Sequence, residues 1–445
     1  MAKRPVRLGI DYGTCHSKIV FRDLTAAGRE KAYAVLYDRH YLIPSAVQYD
    51  DSHLVFGRRP QVVRPENENW TESLKMRVAD EADGSANHYY FGPSNPLPPG
   101  FSAKDLAILT VWFLLSEGAK AVRNTLKVEA DEVALEFILG IPMSFYDVEK
   151  LRTAFLDIAR TAREIYVKAG EIEDDTIELQ FARELLDTAK SSVEQIGAIP
   201  DGYIRDWLRT EAAAALQWSA MSPGVAIGPY AQIDIGAGTT HVSLFRIATD
   251  YNDGGKAKDR LPFFGAESIA LGMDAIDQSI AEFDEITTNF LSLRGNERAH
   301  LQINADKKKV EGVLKKIHES YRKTLATALR DRLQAPDERI QWRQHKIFFI
   351  GGGSSIKVIV DELRRYPLAG FDQQLEIIGQ DIPPDFKLMD GSRISGNELA
   401  FLSVAYGLTC DDDLTVETPI NVPAMQVPDG PPRYRPLLER DEWRG

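Results

Sequence analysis

Residues 232–245, QIDIGAGTTHVSLF, constrain the fold of this chain more than any other stretch. Apolar residues lead into a small-residue turn and alternate again after it, which predicts two antiparallel strands joined as a hairpin. Asp234 lies at the end of the first strand, and glycines at 236 and 238 allow backbone N–H groups to converge on one space. Such a turn suits phosphate oxygens, and the carboxylate beside it suits hydrated Mg²⁺. For this motif alone, a purely structural hairpin is an equal alternative.

A second hairpin of the same design lies near the start, in residues 7–21, RLGIDYGTCHSKIVF. Asp11 ends its first strand, and the turn is Gly13-Thr14-Cys15. Two such hairpins about 220 residues apart predict two lobes of similar architecture facing a common cleft. No shorter repeat is visible, which excludes a solenoid.

Composition narrows the class of protein. The 445 residues are enough for a large buried core and more than one domain. The net charge of −13 argues against general binding to nucleic acids or membrane surfaces. The two cysteines, Cys15 and Cys410, imply no disulfide framework, and no apolar run approaches the roughly 20 residues of a membrane helix. We therefore expect a soluble, cytoplasmic protein.

Periodicity predicts the remaining elements. Strands are expected at 133–141 and 346–350, and helices from about 102, from 147, and over 171–200, 209–220, 307–333 and 397–408. The last strand leads into Gly351-Gly352-Gly353-Ser354-Ser355 and a helix over 356–366, an arrangement that binds anions or nucleotides. The basic residues of 307–333 predict a solvated outer face, with a polyanion contact as the alternative.

The order of three motifs is specific. GIDYGT (9–14), DIGAGTT (234–240) and FIGGGSS (349–355) together resemble the ATPase superfamily of actin, sugar kinases and DnaK-type heat-shock chaperones. The chain looks most like the ATPase part of the DnaK-type (heat shock 70 kDa-like) chaperones over about residues 6–410. Further segments fall at the places that this resemblance implies: IPSAV (43–47), GIPMSFYDVEKLR (140–152), TEAAAAL (210–216), LGMDAID (271–277) and SVAYGL (403–408).

The resemblance implies an α/β, two-lobed actin-like ATPase fold, with duplicated ribonuclease-H-like lobes around a nucleotide cleft. Lobe I is expected over 1–230 with an inserted subdomain at about 35–110. Lobe II is expected over 231–410, with a reduced inserted subdomain at about 278–340. Residues 411–445 form an acidic and Pro-rich tail, and we expect no peptide-binding domain of the chain's own.

The resemblance also implies the ligands and the site. ATP or ADP and Mg²⁺ are the expected cofactors, with Asp11 and Asp234 holding the metal largely through water. Lys75 matches the lysine near the γ-phosphate, and Glu211 matches the carboxylate that orients solvent or metal. The expected nucleotide contacts are Gly13, Thr14, Cys15, Gly236, Ala237, Gly238, Thr239, Gly351, Gly352, Gly353 and Ser354.

Simpler interpretations of three residues stay open. Lys75 could be a surface lysine, and Glu211 could be a carboxylate favoured at a helix start. Pro142 matches a proline that relays nucleotide state in the chaperones, but it could simply end a strand.

The chain departs from the chaperone pattern at several positions. His241 stands in place of an aspartate, Cys15 in place of a hydroxyl residue, and Ser355 in place of an arginine that stacks on adenine. These changes put metal affinity, turnover and base recognition in question. Glu311 and Lys315 are the candidates for contacts with adenine from the second inserted subdomain.

The expected function is a DnaK-like ATP-binding switch, and a slow Mg²⁺-dependent ATPase, that acts with a partner protein through the Pro142 surface or the tail. The alternative is an actin-like filament-forming ATPase that self-assembles, and a small-molecule kinase is a third candidate. A P-loop is excluded because no G-x-x-x-x-G-K-[ST] occurs, and the histidines lack the spacing of zinc ligands. A Rossmann dehydrogenase fails because Ile356 occupies its third glycine position. No membrane or nucleic-acid partner is expected.

Overall fold

Both hairpins that the sequence predicts are present in the structure. The computed structural model describes residues 3–25, 31–58, 69–84, 96–221, 225–251, 257–269, 271–273, 307–331, 342, 345–355, 360–361, 363, 377–378, 382–410 and 415–417. Within these ranges the chain is a mixed α/β protein with three β-sheets and helices packed against them.

Seventeen strands lie within the described ranges. They are β1 (Arg4–Asp11), β2 (His16–Asp23), β3 (Ala32–Ala34), β4 (Ile43–Pro44), β5 (Val47–Tyr49), β6 (His53–Phe56), β7 (Asn69–Thr71), β8 (Val133–Ile141), β9 (Thr176–Glu178), β10 (Leu208–Thr210), β11 (Gly228–Ile235), β12 (Thr240–Tyr251), β13 (Ala257–Ile269), β14 (Lys346–Ile350), β15 (Ile377–Ile378), β16 (Phe386–Leu388) and β17 (Thr415–Glu417).

The α-helices of the same ranges are α1 (Leu74–Asp83), α2 (Ala103–Leu126), α3 (Met143–Tyr146), α4 (Glu149–Ala169), α5 (Leu179–Ile196), α6 (Glu211–Met221), α7 (Lys307–Asp331) and α8 (Gly396–Leu408). Short 3-10 turns cover Ala130–Glu132, Asp201–Asp206 and Gly352–Ser355. None of the helices in the described part of the chain is long and apolar enough to cross a membrane.

The two large sheets have the same order and relative direction of strands. The first has the order β10-β8-β1-β2-β3-β16, with β4 paired to β2, and the second has the order β15-β14-β11-β12-β13-β17. In each, three antiparallel strands form a meander, a fourth strand runs parallel to the first, and a fifth runs parallel to the fourth. Because the order and direction of the strands are the same, Asp11 and Asp234 lie at the same end of the corresponding strands β1 and β11. The third sheet has the order β7-β5-β6-β9.

Separate apolar cores support these sheets. In the first, Leu8 and Ile10 of β1 pack with Leu106 and Phe113 of α2. In the second, α7 packs its apolar face under Ile233 and Ile235 of β11, using Leu314, Ile317, Tyr321 and Leu325. Burying each such side chain contributes about 1.5–3 kcal/mol. Lys315, Lys316, Arg322 and Lys323 of α7 are exposed, which agrees with the predicted solvated face and leaves a polyanion contact open.

Helices α6 and α8 cross between the two large sheets. Ala212 and Leu216 of α6 pack with Tyr230 and Phe245 of the second sheet, although α6 directly follows the first. The crossing is so close that a Cβ at Gly407 would lie 1.7 Å from the carbonyl oxygen of Ala214. A side chain at that position would force the helices apart, so glycine is required there.

The C-terminal part of the described chain returns to the first sheet. Helix α8 packs on β1 and β2, and β16 pairs with β3. These contacts cross the boundary at residue 230 that the sequence predicted between the lobes. Of the predicted tail, residues 415–417 are described, as β17 paired in parallel with β13. The other tail residues and most of the predicted helix over 356–366 lie outside the described residues.

Candidate functional site

The two hairpin turns meet. The first turn follows β1 and the second follows β11. A Cβ built on Gly238 would lie 3.2 Å from Cγ2 of Thr14 and 3.6 Å from Cγ of Met76. The second turn therefore rests directly against the first turn and against the first residues of α1, and position 238 has little room for a side chain.

Three buried carboxylates surround this contact. Asp11, Glu211 and Asp234 are 6%, 7% and 8% exposed. Burial raises the pKa of Asp234 from 3.8 to about 7, and the negative charges of Glu211 and Asp11 add to the rise. Burial also raises the pKa of Glu211, with Lys75 opposing and Asp11 reinforcing the shift. Since the charges of Glu211 and Asp11 act on Asp234, and that of Asp11 acts on Glu211, the structure brings the three predicted carboxylates into one cluster.

Two lysines partly balance the cluster. The ammonium of Lys75 donates to Oε1 of Glu211, and both side chains are buried. The ammonium of Lys18 donates to Oδ2 of Asp11 over 2.9 Å. Burial disfavours the charge of Lys18, but Asp11, Asp234 and Glu211 outweigh burial and raise its pKa. Lys75 is thus a buried ion-pair partner and not the surface lysine that stood as the alternative.

Sequence reasoning missed Lys18. The signal was present, because Lys18 lies directly opposite Asp11 in the hairpin register. A turn of known length between two strands fixes which residues face each other. The lysine could have been found by counting from Asp11 across the turn.

Lys75 is presented by an unusual helix start. Ser73, which precedes α1, has φ 54° and ψ 31°, in the left-handed region. Its carbonyl accepts hydrogen bonds from the N–H groups of Met76 and Arg77. A non-glycine residue in this conformation costs about 1–3 kcal/mol. The strained residue turns the chain so that Lys75 falls in the first helical turn, beside Glu211.

Some predicted backbone donors are used within the turns. The N–H of Gly236 donates to the carbonyl of Thr239 over 2.9 Å, and that of Gly13 donates to the carbonyl of Asp11 over 3.1 Å. The N–H groups of Thr14, Ala237 and Gly238 have no hydrogen-bond acceptor in the described part of the chain. These groups are among the donors available to an anion at the two turns. Cys15 is half-buried beside them.

The predicted adenosine turn lies against Asp234. Gly351 has φ 78°, and a Cβ there would lie 2.2 Å from Oδ1 of Asp234. Gly353 is buried, and a Cβ there would lie 2.4 Å from Cγ2 of Ile235. Gly353 is therefore a packing position beneath the turn. Ser354 donates from its N–H and hydroxyl to the carbonyl of Gly351, while the side chain of Ser355 lies outside the described residues.

Two predicted adenine contacts are not brought to the site. Glu311 and Lys315 are exposed on α7. That helix packs under Ile233 and Ile235, and side chains alternate along a strand, so α7 covers the face of β11 opposite to Asp234.

Pro142 directly follows the last residue of β8 and is the N-cap of α3, which agrees with the interpretation that it ends a strand. It is buried, and its carbonyl accepts from the N–H groups of Phe145 and Tyr146 at the start of α3. The next residue, Met143, packs with Tyr230 of the second sheet. A partner protein therefore cannot contact Pro142 itself, although the α3 segment joins the end of β8 to the second sheet.

His241 lies opposite Asp234 in the second hairpin. Its Nδ1 is 2.6 Å from Oγ of Ser268, and its Nε2 is 3.0 Å from Oγ1 of Thr239. Burial, with a smaller effect of Lys75, lowers the pKa of His241 to about 3. The imidazole is thus neutral at physiological pH. It therefore adds no positive charge beside the proposed metal site, where the replacement of an aspartate led us to expect weaker metal binding.

No three His, Cys, Asp or Glu side chains within the described ranges lie close enough together to hold a metal ion directly. Comparison with models of protein families and with curated proteins found no significant match for this chain.

Proposed function

We propose that this chain is an ATP-binding protein with a two-lobed, actin-like ATPase fold that works as a DnaK-like conformational switch with a partner protein. The observation that carries the proposal is the contact of Gly238 with Thr14, which brings together two hairpin turns that each follow an acidic residue. The equal strand path of the two large sheets supports a duplicated architecture, with the turns at corresponding places.

The charges of the site fit a phosphate ligand together with a divalent cation. Burial first, and then the negative charges of Glu211 and Asp11, raise the pKa of Asp234 to about 7, and a bound cation would favour its ionised form against both. The N–H groups of Thr14, Ala237 and Gly238 suit phosphate oxygens. Asp11 and Asp234 would hold Mg²⁺ mainly through its waters, because no three carboxylates of the described residues lie close enough together to ligate one ion directly.

The chain's own residues have defined roles in hydrolysis. When bound, Mg²⁺ and ATP would supply the bond to be cleaved and part of the charge neutralisation. Glu211 is buried with a raised pKa, so it can accept a proton from a water and keep that water oriented. Lys75 donates to Glu211, and the same ammonium can donate to a phosphate oxygen and thereby release the carboxylate. Lys18, beside Asp11, supplies a second fixed positive charge.

The crossing helices provide a route to the surface. α6 begins at Glu211 and packs on the second sheet, whereas α8 packs on the first. A ligand that both turns contact would favour one relative position of the two sheets, and α6 and α8 would move with them. Because Pro142 is buried, residues 411–445 are the better candidate for partner binding. Deleting them should impair capture of the partner and leave ATP affinity unchanged.

Calorimetry with ATP, with and without Mg²⁺, tests the proposal. We expect Mg²⁺-dependent binding by the wild type, and at least about tenfold weaker binding by Gly238→Val, whose side chain would fill the space beside Thr14. Gly202→Val is the matched control, since a Cβ at Gly202 meets nothing within 4 Å. Thermal unfolding of both variants separates blocking from misfolding. Absence of ATP and ADP binding by the wild type would overturn the proposed function.

A further inference from the structure

Three buried side chains form a hydrogen-bonded chain behind the second turn. Ser268, His241 and Thr239 are 2%, 6% and 7% exposed, and the imidazole lies between the two hydroxyls. In the strand register, His241 lies opposite Asp234 on one side and opposite Ser268 on the other. This row of hydrogen-bonded side chains therefore lies directly beside the acidic residue. None of the roles described above for the nucleotide uses this arrangement.

The backbone of the turn is held independently of the imidazole. The N–H of Gly236 donates to the carbonyl of Thr239, and the N–H of Met273 donates to the carbonyl of Gly236, both over 2.9 Å. The hydroxyl of Thr240 donates to the carbonyl of Leu271 over 2.7 Å. Since these bonds fix the turn, the contact from His241 governs the hydroxyl of Thr239 and not the path of the chain.

The order of protons along the chain has two possible forms. A neutral imidazole donates from one nitrogen and accepts at the other. If Nδ1 donates to Ser268, the hydroxyl of Thr239 donates to Nε2, and the proton of Ser268 is left over. If Ser268 donates to Nδ1, then Nε2 donates to Thr239, and the proton of Thr239 is left over. Neither hydroxyl has a second hydrogen-bond partner among the described residues.

A phosphate beside the turn would select the second form. Among the described residues, the remaining proton at Ser268 would stay buried without an acceptor, which is unfavourable. The remaining proton at Thr239 lies next to Ala237 and Gly238, whose N–H groups are available to an anion, and it would gain a phosphate oxygen as acceptor. The phosphate acceptor gained at Thr239 and the missing acceptor at Ser268 both favour the form in which Nε2 of His241 donates to Thr239.

We propose that His241, anchored by Ser268, is a positioning residue that directs the hydroxyl of Thr239 as a hydrogen-bond donor to a phosphate group. The inference rests on the proposed nucleotide function and adds two residues, Ser268 and His241, to its phosphate site. It also gives the imidazole a use that an aspartate could not serve, because an ionised carboxylate has no proton to donate to Thr239.

Two substitutions of His241 separate the two hydrogen bonds. In His241→Gln the side-chain amide reaches about as far as Nε2 and can donate to Thr239, whereas in His241→Asn the shorter amide reaches only toward Ser268. We expect ATP affinity by calorimetry to stay within about threefold of wild type for glutamine, and to fall about tenfold for asparagine and for Ser268→Ala. Thr239→Val should give the same loss, with no further loss when it is combined with His241→Asn.

Nitrogen NMR of the imidazole gives a readout that does not depend on turnover. We expect His241 to carry its proton on Nε2 in the presence of ATP and Mg²⁺. A proton on Nδ1 in that complex, equal losses for glutamine and asparagine, or additive losses with Thr239→Val would each overturn this inference while ATP binding by the wild type stands. Absence of ATP binding by the wild type would overturn the proposed function and this inference together.

Discussion

The substitution Asp234→Asn should stabilise the ligand-free protein and impair its function. Burial and the neighbouring carboxylates raise the pKa of Asp234 from 3.8 to about 7. The folded chain therefore binds this proton more tightly than the unfolded chain does. The stabilising contribution is fully present below pH about 4 and is lost as the pH rises through about 7. A shift of about three pKa units corresponds to about 4 kcal/mol.

Asparagine reproduces the shape and neutrality of the protonated carboxyl, so it escapes this loss. At pH 8 we expect Asp234→Asn to exceed the wild type in free energy of unfolding by up to about 4 kcal/mol, and the difference should shrink toward zero as the pH approaches 4. Urea unfolding between pH 5 and 8 measures the effect. Asp187→Asn removes the same charge from an exposed position on α5 and should show no such trend. In calorimetry, Asp234→Asn should lose the dependence of ATP binding on Mg²⁺.

A flat difference across this pH range, or a variant less stable than the wild type at pH 8, would refute the reasoning. Either result would mean that burial and the charges of Glu211 and Asp11 do not raise the pKa of Asp234. Unchanged Mg²⁺ dependence in a stabilised variant would refute only the metal role. The stability curve and the binding curve therefore report on separate statements.

Three further predictions use the same site. Gly351→Ala should destabilise the protein by at least about 2 kcal/mol more than Gly391→Ala in urea unfolding, because both glycines have positive φ but only a Cβ at 351 meets a carboxylate, at 2.2 Å. Lys75→Met should lower the free energy of unfolding by about 3–5 kcal/mol, because it leaves Glu211 buried and unpaired. Adding Glu211→Gln to this variant should recover most of the loss, and additive losses would contradict the ion pair. Lys18→Met should weaken ATP binding in calorimetry by at least about tenfold, and unchanged affinity would remove this lysine from the phosphate site.

Local patterns were enough to predict the elements that carry their own signals. The two hairpins, β8, and the helices α2 and α8 follow from apolar periodicity, and α2 and α8 begin at serines that form capping boxes. Helix α1 has no such signal. Its N-cap, Ser73, is left-handed and makes no side-chain cap bond, so the helix that presents Lys75 could not be recognised from sequence. The prediction over 171–200 missed β9, a strand of three residues before α5.

Motif order predicted which residues form the site, whereas their burial and protonation depend on contacts between distant parts of the chain. Asp11, Asp234, Lys75 and Glu211 were predicted from motif order, and the structure brings them together. The burial of Pro142, by contrast, results from the packing of α3 against the second sheet, which no local pattern encodes. The protonation state of the site was equally hidden, because it depends on burial and on distances between charges that lie far apart in sequence.

The candidate site therefore combines several local arrangements that are unfavourable without a ligand. Asp234 is held near other carboxylates, Lys75 and Glu211 are buried as an ion pair, and Ser73 is strained. Each costs on the order of one to a few kcal/mol, and the packed cores and the crossing of α6 with α8 keep them in place. A ligand that neutralises the carboxylates and takes up Lys75 would remove much of this cost only in the folded state. Binding should consequently raise the unfolding temperature in proportion to the logarithm of ligand concentration, with Mg²⁺ and ATP together exceeding either alone.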